Sequence, residues 1–118
     1  GMGIPVVNGD GMGRALPEAQ MMTYPIFGVL PTPAVTTDYR GNITEFHTKD
    51  ILEFEPEIRQ CALSSGGMIT SAEHPMTGSQ LKASIVPRTI SFSIELGRIL
   101  REYRGNAHRI YEPLAALF

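Results

Sequence analysis

Two glycine-bearing segments hold the residues whose types and spacing could do chemistry. The first is Gly9-Asp10-Gly11-Met12-Gly13-Arg14, followed by Pro17-Glu18. Glycine at every second position lets the backbone take positive φ and lets a ligand approach closely. Asp10 can accept hydrogen bonds, ligate a metal or act as a base. Arg14 can clamp a carboxylate through two parallel hydrogen bonds. Free N–H groups at a following helix start attract anions or polarised oxygens. The alternative is a tight turn whose Asp and Arg pair on the surface. The spacing is neither GxGxxG nor GxxxxGK[ST], so a nucleotide loop is only weakly indicated. The second segment is Glu73-His74-Pro75-Met76-Thr77-Gly78. Thr77 either caps the next helix or turns its hydroxyl toward a ligand. Glu73 and His74 are neighbours, so on a strand they would point to opposite faces.

The elements that must position these residues follow from the apolar pattern. Ile4–Val7 has strand composition, and Pro17–Thr23 reads as a short helix with Ala19, Met22 and Ile26 inward. Tyr24–Val29 reads as a strand beginning at Pro25. Ala34–Thr37 and Asn42–His47 read as a hairpin around Gly41, with Val35, Ile43 and Phe46 supplying apolar contacts. Asp50 and Glu53 suit a helix start. Pro56 predicts a break near Glu55, then a second helix to about Leu63 with Ile58, Cys61 and Ala62 inward. Glu53, Glu55 and Glu57 read as a solvated face, and His47 as a solvated strand end. Met68–Ser71 reads as a strand, Thr77 as the cap of a helix through Ile85, and Pro87–Tyr103 as a long helix, although Ile90, Phe92, Ile94 and Leu96 also alternate like a strand. Strands alternate with helices. The expected fold is therefore α/β, a mixed sheet of about four strands packed with three to five helices.

Bulk properties narrow the classes. The chain has 118 residues, 42% of them hydrophobic, 19% charged, and a net charge of −2. That describes one globular domain at most, with no basic patch for nucleic acid. A single cysteine, Cys61, rules out an intrachain disulfide and points to a reducing, cytoplasmic setting. It reads as a buried structural thiol. No apolar run approaches a membrane span. No set of residues stands at convincing metal spacing.

Asp10-Gly11-Met12-Gly13-Arg14-Ala15-Leu16-Pro17-Glu18, with Gln20-Met21, resembles a motif of the S-methyl-thiohydantoin desulfurase family, associated with hydantoinases and oxoprolinases. A second block resembles the same family: Gly66-Gly67, Pro75-Met76-Thr77-Gly78, Pro87-Arg88-Thr89-Ile90-Ser91 and Glu95-Leu96-Gly97-Arg98. The departures are Asn8, where the family more usually carries an acidic residue, and Glu73-His74, where an aromatic is more usual. The resemblance implies hydrolytic chemistry on a five-membered cyclic ureide or thioureide, removing sulfur from the ring; with no strong metal motif in the residues, no cofactor or metal is expected. It carries over Asp10, Arg14 and Glu18 as catalytic positions and Gly11, Gly13, Thr77 and Gly78 as substrate-binding ones. It also implies that residues 1–118 are an internal segment of the family's amino-terminal domain; Gly1 before Met2 reads as a tag remnant. The segment would then be an incomplete enzyme. The contrasting expectation is a non-catalytic folded module. Either would act without nucleic acid or membrane, as a homo-oligomer or beside missing family domains.

Overall fold

A computed structural model describes residues 3–118, the side chain of Ala107 apart; the expected tag remnant at Gly1 lies outside the described residues. The order is β1 (Gly9–Asp10), a 3-10 turn (Ala19–Met21), α1 (Thr23–Ile26), β2 (Ala34–Thr37), β3 (Ile43–Phe46) and α2 (Ile51–Ser64). Then come β4 (Thr70–Ala72), α3 (Gly78–Ser84), β5 (Val86–Pro87), α4 (Thr89–Glu102), a second 3-10 turn (Ala107–Arg109) and α5 (Tyr111–Ala115). The fold is α/β as expected, but the single mixed sheet is not formed. Five described strands make two antiparallel sheets, β1-β5 and β3-β2-β4.

The three-stranded sheet holds the core. Ala34 pairs with Phe46 and Thr36 with Thr44, so Ala34, Thr36 and Phe46 share the buried face. Val35 and Ile43 lie on the other face and are exposed, contrary to the contact expected of them. Phe54 of α2, with no exposed surface, packs edge-on against Phe46 with ring centroids 5.7 Å apart. Ile51, Ile58 and Cys61 close around them. Cys61 is half-buried, with its Sγ 3.5 Å from Thr36 Oγ1.

Helix α2 runs unbroken through Pro56, correcting the expected interruption. Pro56 is the sixth helical residue and faces solvent. It removes one ladder donor, while the Asp50 cap, accepting from Glu53 N at 2.9 Å, and the buried Phe54 hold the helix on both sides. Glu53 in turn accepts from Lys49 N at 2.9 Å. Glu55 is not part of a solvated face. It is half-buried, and its carboxylate accepts from Ala19 N at 2.6 Å and from Arg59.

The remaining differences arise near the glycine loop. Ile4–Val7 is exposed and forms no strand, because Pro5 lacks a donor and pairing begins only at Gly9. The stretch Tyr24–Val29 enters α1 and a turn at Gly28 rather than a strand. Ile26 is exposed. The helix expected over Pro17–Thr23 shrinks to the 3-10 turn. Pro87 belongs to β5, opposite Gly9, and α4 starts two residues later. The strand expected over Met68–Ser71 is displaced to Thr70–Ala72.

The core is thin. The radius of gyration is 17.1 Å, against roughly 13–14 Å for a close-packed domain of this length. With so few buried side chains, Phe54→Ala should destabilise the fold by about 3–5 kcal/mol. Urea denaturation followed by circular dichroism checks this; a loss below about 1 kcal/mol would mean that the Phe46–Phe54 contact is not the centre of the core.

Candidate functional site

The glycine loop is held by two sets of hydrogen bonds. Asp10 Oδ1 accepts from Met12 N at 2.8 Å and from Gly13 N. This is the turn that an Asp side chain makes with its own backbone. Gly13 has φ +78°, a conformation that favours glycine. Gly11 lies flush against the Tyr24 ring, so a Cβ there would come within 2.8 Å of it. Gly11 O also accepts from Thr23 N at 2.7 Å, fastening the loop to α1.

The second set joins the loop to α4. Arg88, the residue before that helix, has φ +67° and makes no side-chain cap. The cap comes instead from Asn8: its Oδ1 accepts from Ser91 N at 2.9 Å and its Nδ2 donates to Ser91 Oγ at 3.2 Å. Asn8 O accepts from Arg88 N at 2.8 Å. The β1–β5 ladder continues this stitching, with Gly9 opposite Pro87 and Asp10 opposite Val86.

Between the loop and the start of α4 lies a hollow of about 660 Å³, lined by Gly13, Val86, Arg88, Thr89, Ser91 and Phe92 among others. Asp10 stands behind it, next to Thr89. Burial raises the Asp10 carboxyl, but hydrogen bonds from the Met12 and Gly13 amides outweigh it, helped by the Thr89 hydroxyl, and the net position is below the ordinary range. Thr89 Oγ1 is enclosed beside Asp10 and makes no other hydrogen bond among the described residues.

The other expected positions are dispersed. Arg14 is exposed in the loop. Glu18 accepts from the Gln20 amide and lines a different hollow, with Glu55, Arg59 and Glu73. Thr77 is exposed and caps α3 in reciprocal fashion: its Oγ1 accepts from Gln80 N at 3.3 Å while Gln80 Oε1 accepts from Thr77 N at 2.9 Å. Gly78 begins that helix. Thus Gly13 lines one hollow with Asp10 behind its Thr89 wall, Glu18 lines another, and the Thr77 side chain is engaged in its cap.

Sequence reasoning gave no role to Tyr24 or to the start of α4, and weighed His74 only as a neighbour that could not pair with Glu73. His74 lies beyond β4 with φ +55°, is 4% exposed, and its ring centroid is 5.4 Å from that of Tyr24. Neither ring nitrogen has a partner among the described residues, and burial holds the ring below its ordinary pKa. Tyr24 is raised by burial and then by the Asp10 charge. Glu73 is raised by burial and then by Glu55. The signal for α4 was present in Pro87-Arg88-Thr89-Ile90-Ser91, where the proline reads as a first-turn residue and so hides the true start.

These features define an α/β chain whose glycine loop is stitched to the start of a long helix beside an open hollow. The chain belongs to the S-Me-THD-like family: its N-terminal domain matches residues 1–48 and its C-terminal domain matches residues 48–118. It is also similar to a crystal structure of a protein from Chromobacterium violaceum, with 28% identity and a TM-score of 0.77 over 92% of this chain. The chain spans 32% of that protein. No curated protein matches it significantly. Among the described residues no helix is long and apolar enough to cross a membrane.

Two outcomes follow. Asn8→Ala should destabilise the fold by about 1 kcal/mol, whereas Asn8→Asp should retain most of the cap, because a carboxylate still accepts from Ser91 N beside the positive helix end. Thermal unfolding of both variants checks this; equal losses would mean the side-chain cap is not what matters. For Asp10, the depressed folded value makes its contribution present above the unfolded value of about 3.9 and lost as pH falls through the folded one. Urea midpoints measured downward from pH 6 should therefore fall more steeply for the parent than for Asp10→Asn.

Proposed function

We propose that this chain forms part of a hydrolase-type enzyme acting on hydantoin- or thiohydantoin-type cyclic ureides. Family membership supports the ring class. One observation supports the chemistry: a carboxylate, Asp10, is held ionised by loop amides next to a hollow large enough for a small ring. In the reaction, water adds to the ring carbon that bears sulfur. The sulfur departs as sulfide, or as a thiol from a thioether, and a ring carbonyl remains.

Asp10 suits an orienting role better than a strongly basic one. A carboxyl held below its ordinary range takes up a proton weakly, yet it accepts hydrogen bonds from a ring N–H or from the attacking water. Arg14, exposed in the same loop, would hold an anionic ring or a substrate carboxylate. Glu18 would act only if the loop brought its hollow together with that of Asp10. Gly13, in the lining, allows close approach of the ring, whereas Gly11 is occupied by the Tyr24 ring and Thr77 and Gly78 lie outside the lining of this hollow.

A second reading is a folded module without a complete active site. The observation favouring it is the extent of exposed apolar surface, including Ile4, Val6, Ile94, Leu100 and Phe118. Thermal shift with 2-thiohydantoin separates the two. At about a hundredfold the dissociation constant, binding should stabilise the chain by about 2.7 kcal/mol, and Asp10→Asn should remove the shift. No shift at millimolar ligand, with a sedimenting mass above that of the monomer, would carry the second reading instead.

A further inference from the structure

The Tyr24 ring is held between two neighbours. One is Gly11 of the glycine loop, against which the ring lies flush. The other is the imidazole of His74, with ring centroids 5.4 Å apart. His74 is 4% exposed, and both ring nitrogens are enclosed without a hydrogen-bond partner among the described residues. Its backbone sits in the left-handed region at φ +55° and is tied by its N–H to Pro31 O at 2.9 Å. A non-glycine residue keeps such a conformation only where its surroundings hold it. Of the titratable groups near the ring, Tyr24 stands on α1, with the Asp10 charge acting on it from β1. Glu73, just after β4, lines the separate hollow beside Glu55 and Arg59 of α2. Among the described residues none of these groups accepts a hydrogen bond from the imidazole.

We infer that His74 is an acid-sensitive latch: as a neutral ring it clamps Tyr24 against the glycine loop, and on protonation it leaves its enclosure and frees that loop. A neutral imidazole can sit in an enclosed seat. The imidazolium carries two N–H donors and a full charge, and the seat offers its nitrogens neither acceptor nor counter-charge. Attraction of a cation to the Tyr24 ring offsets only a fraction of that cost. Opening the seat lets water hydrate the charge instead. The effect reaches the loop through α1. Loss of the His74 wall lets the Tyr24 ring leave Gly11, and Thr23 N, on the same helix, is the donor that tethers Gly11 O at 2.7 Å. The direction follows from proton binding. Burial holds the folded ring below the ordinary value of about 6.5, so the unfolded chain takes up a proton first and the closed form loses stability as pH falls through that value. The nearby acids do not mimic this. Asp10, held below its ordinary range, weakens the fold only in more acid solution. Glu73, held above its ordinary range, acts in the opposite sense, because the folded state binds its proton first. The latch is independent of the functional reading above: it governs whether the loop is ordered, not what the hollow holds.

The test is an NMR titration of the chain from about pH 7.5 to about pH 5, with the His74 ring signals assigned through bonds from its own amide. The ring should titrate with a midpoint below about 6.5. The amide signals of Gly11 and Thr23 should shift or broaden along the same curve. A ring midpoint at or above about 6.5 would overturn the latch, and so would loop amides that stay fixed while the ring titrates. His74→Phe keeps a ring against Tyr24 but takes up no proton. Over the same range its Gly11 and Thr23 amides should stay fixed, and its urea midpoint should not fall between about pH 7.5 and about pH 5.5, whereas that of the parent should. A parent-like fall in His74→Phe would place the response elsewhere and remove the latch. If that variant does not fold, the titration of the parent decides by itself.

Discussion

Helix α4 cannot cap itself, and the arrangement around the site depends on how that deficiency is met. The residue before the helix is an arginine in the left-handed region, and its side chain makes no cap hydrogen bond. The missing acceptor is provided by Asn8, 83 residues earlier. One amide side chain therefore satisfies a helix terminus and anchors the glycine loop. The β1–β5 ladder extends the same seam by two residue pairs. Asp10 is brought beside Thr89 by this seam rather than by an apolar core, which lies elsewhere, between α2 and the three-stranded sheet.

This separation divides stability from chemistry. The Phe46–Phe54 contact and the groups around it supply most of the apolar burial. The loop and the start of α4 are held chiefly by directional polar bonds whose individual net contributions are small. Such a seam specifies geometry more than it adds free energy. The loop glycines fit this role: Gly13 supplies a backbone conformation, and Gly11 leaves room for the Tyr24 ring.

Much of the local architecture was legible in the residues. The Thr77 cap, the Asp50 helix start, the Gly41 hairpin and the existence of the long fourth helix all depend on short-range chemistry, which a sequence displays directly. The errors share a different origin. Pro56 and Pro87 were read by local rule, one as a break and the other as a helix start. Tertiary packing carried α2 through the first, and pairing with Gly9 drew the second into a strand. The outward-facing Val35 and Ile43 show that β-branched composition identifies a strand without revealing which face is buried. The enclosure of His74 and Thr89 was not legible, since only the folded chain shows that their polar side-chain atoms are buried. The glycine loop itself was recognisable, but its connection to α4 required knowledge of a contact across most of the chain.

The β1–β5 ladder has a consequence in time as well as in space. Gly9 is synthesised before its partner Pro87, which follows only after α2, the three-stranded sheet and α3 have been made. The hairpin and its helix can condense from nearer neighbours, whereas the seam must close a loop of most of the chain. A nascent chain would thus carry a finished core while its glycine loop still waits for the opposite wall of the hollow. The hollow would be completed late, and a ribosome stalled before α4 would display a folded body with only one of its walls.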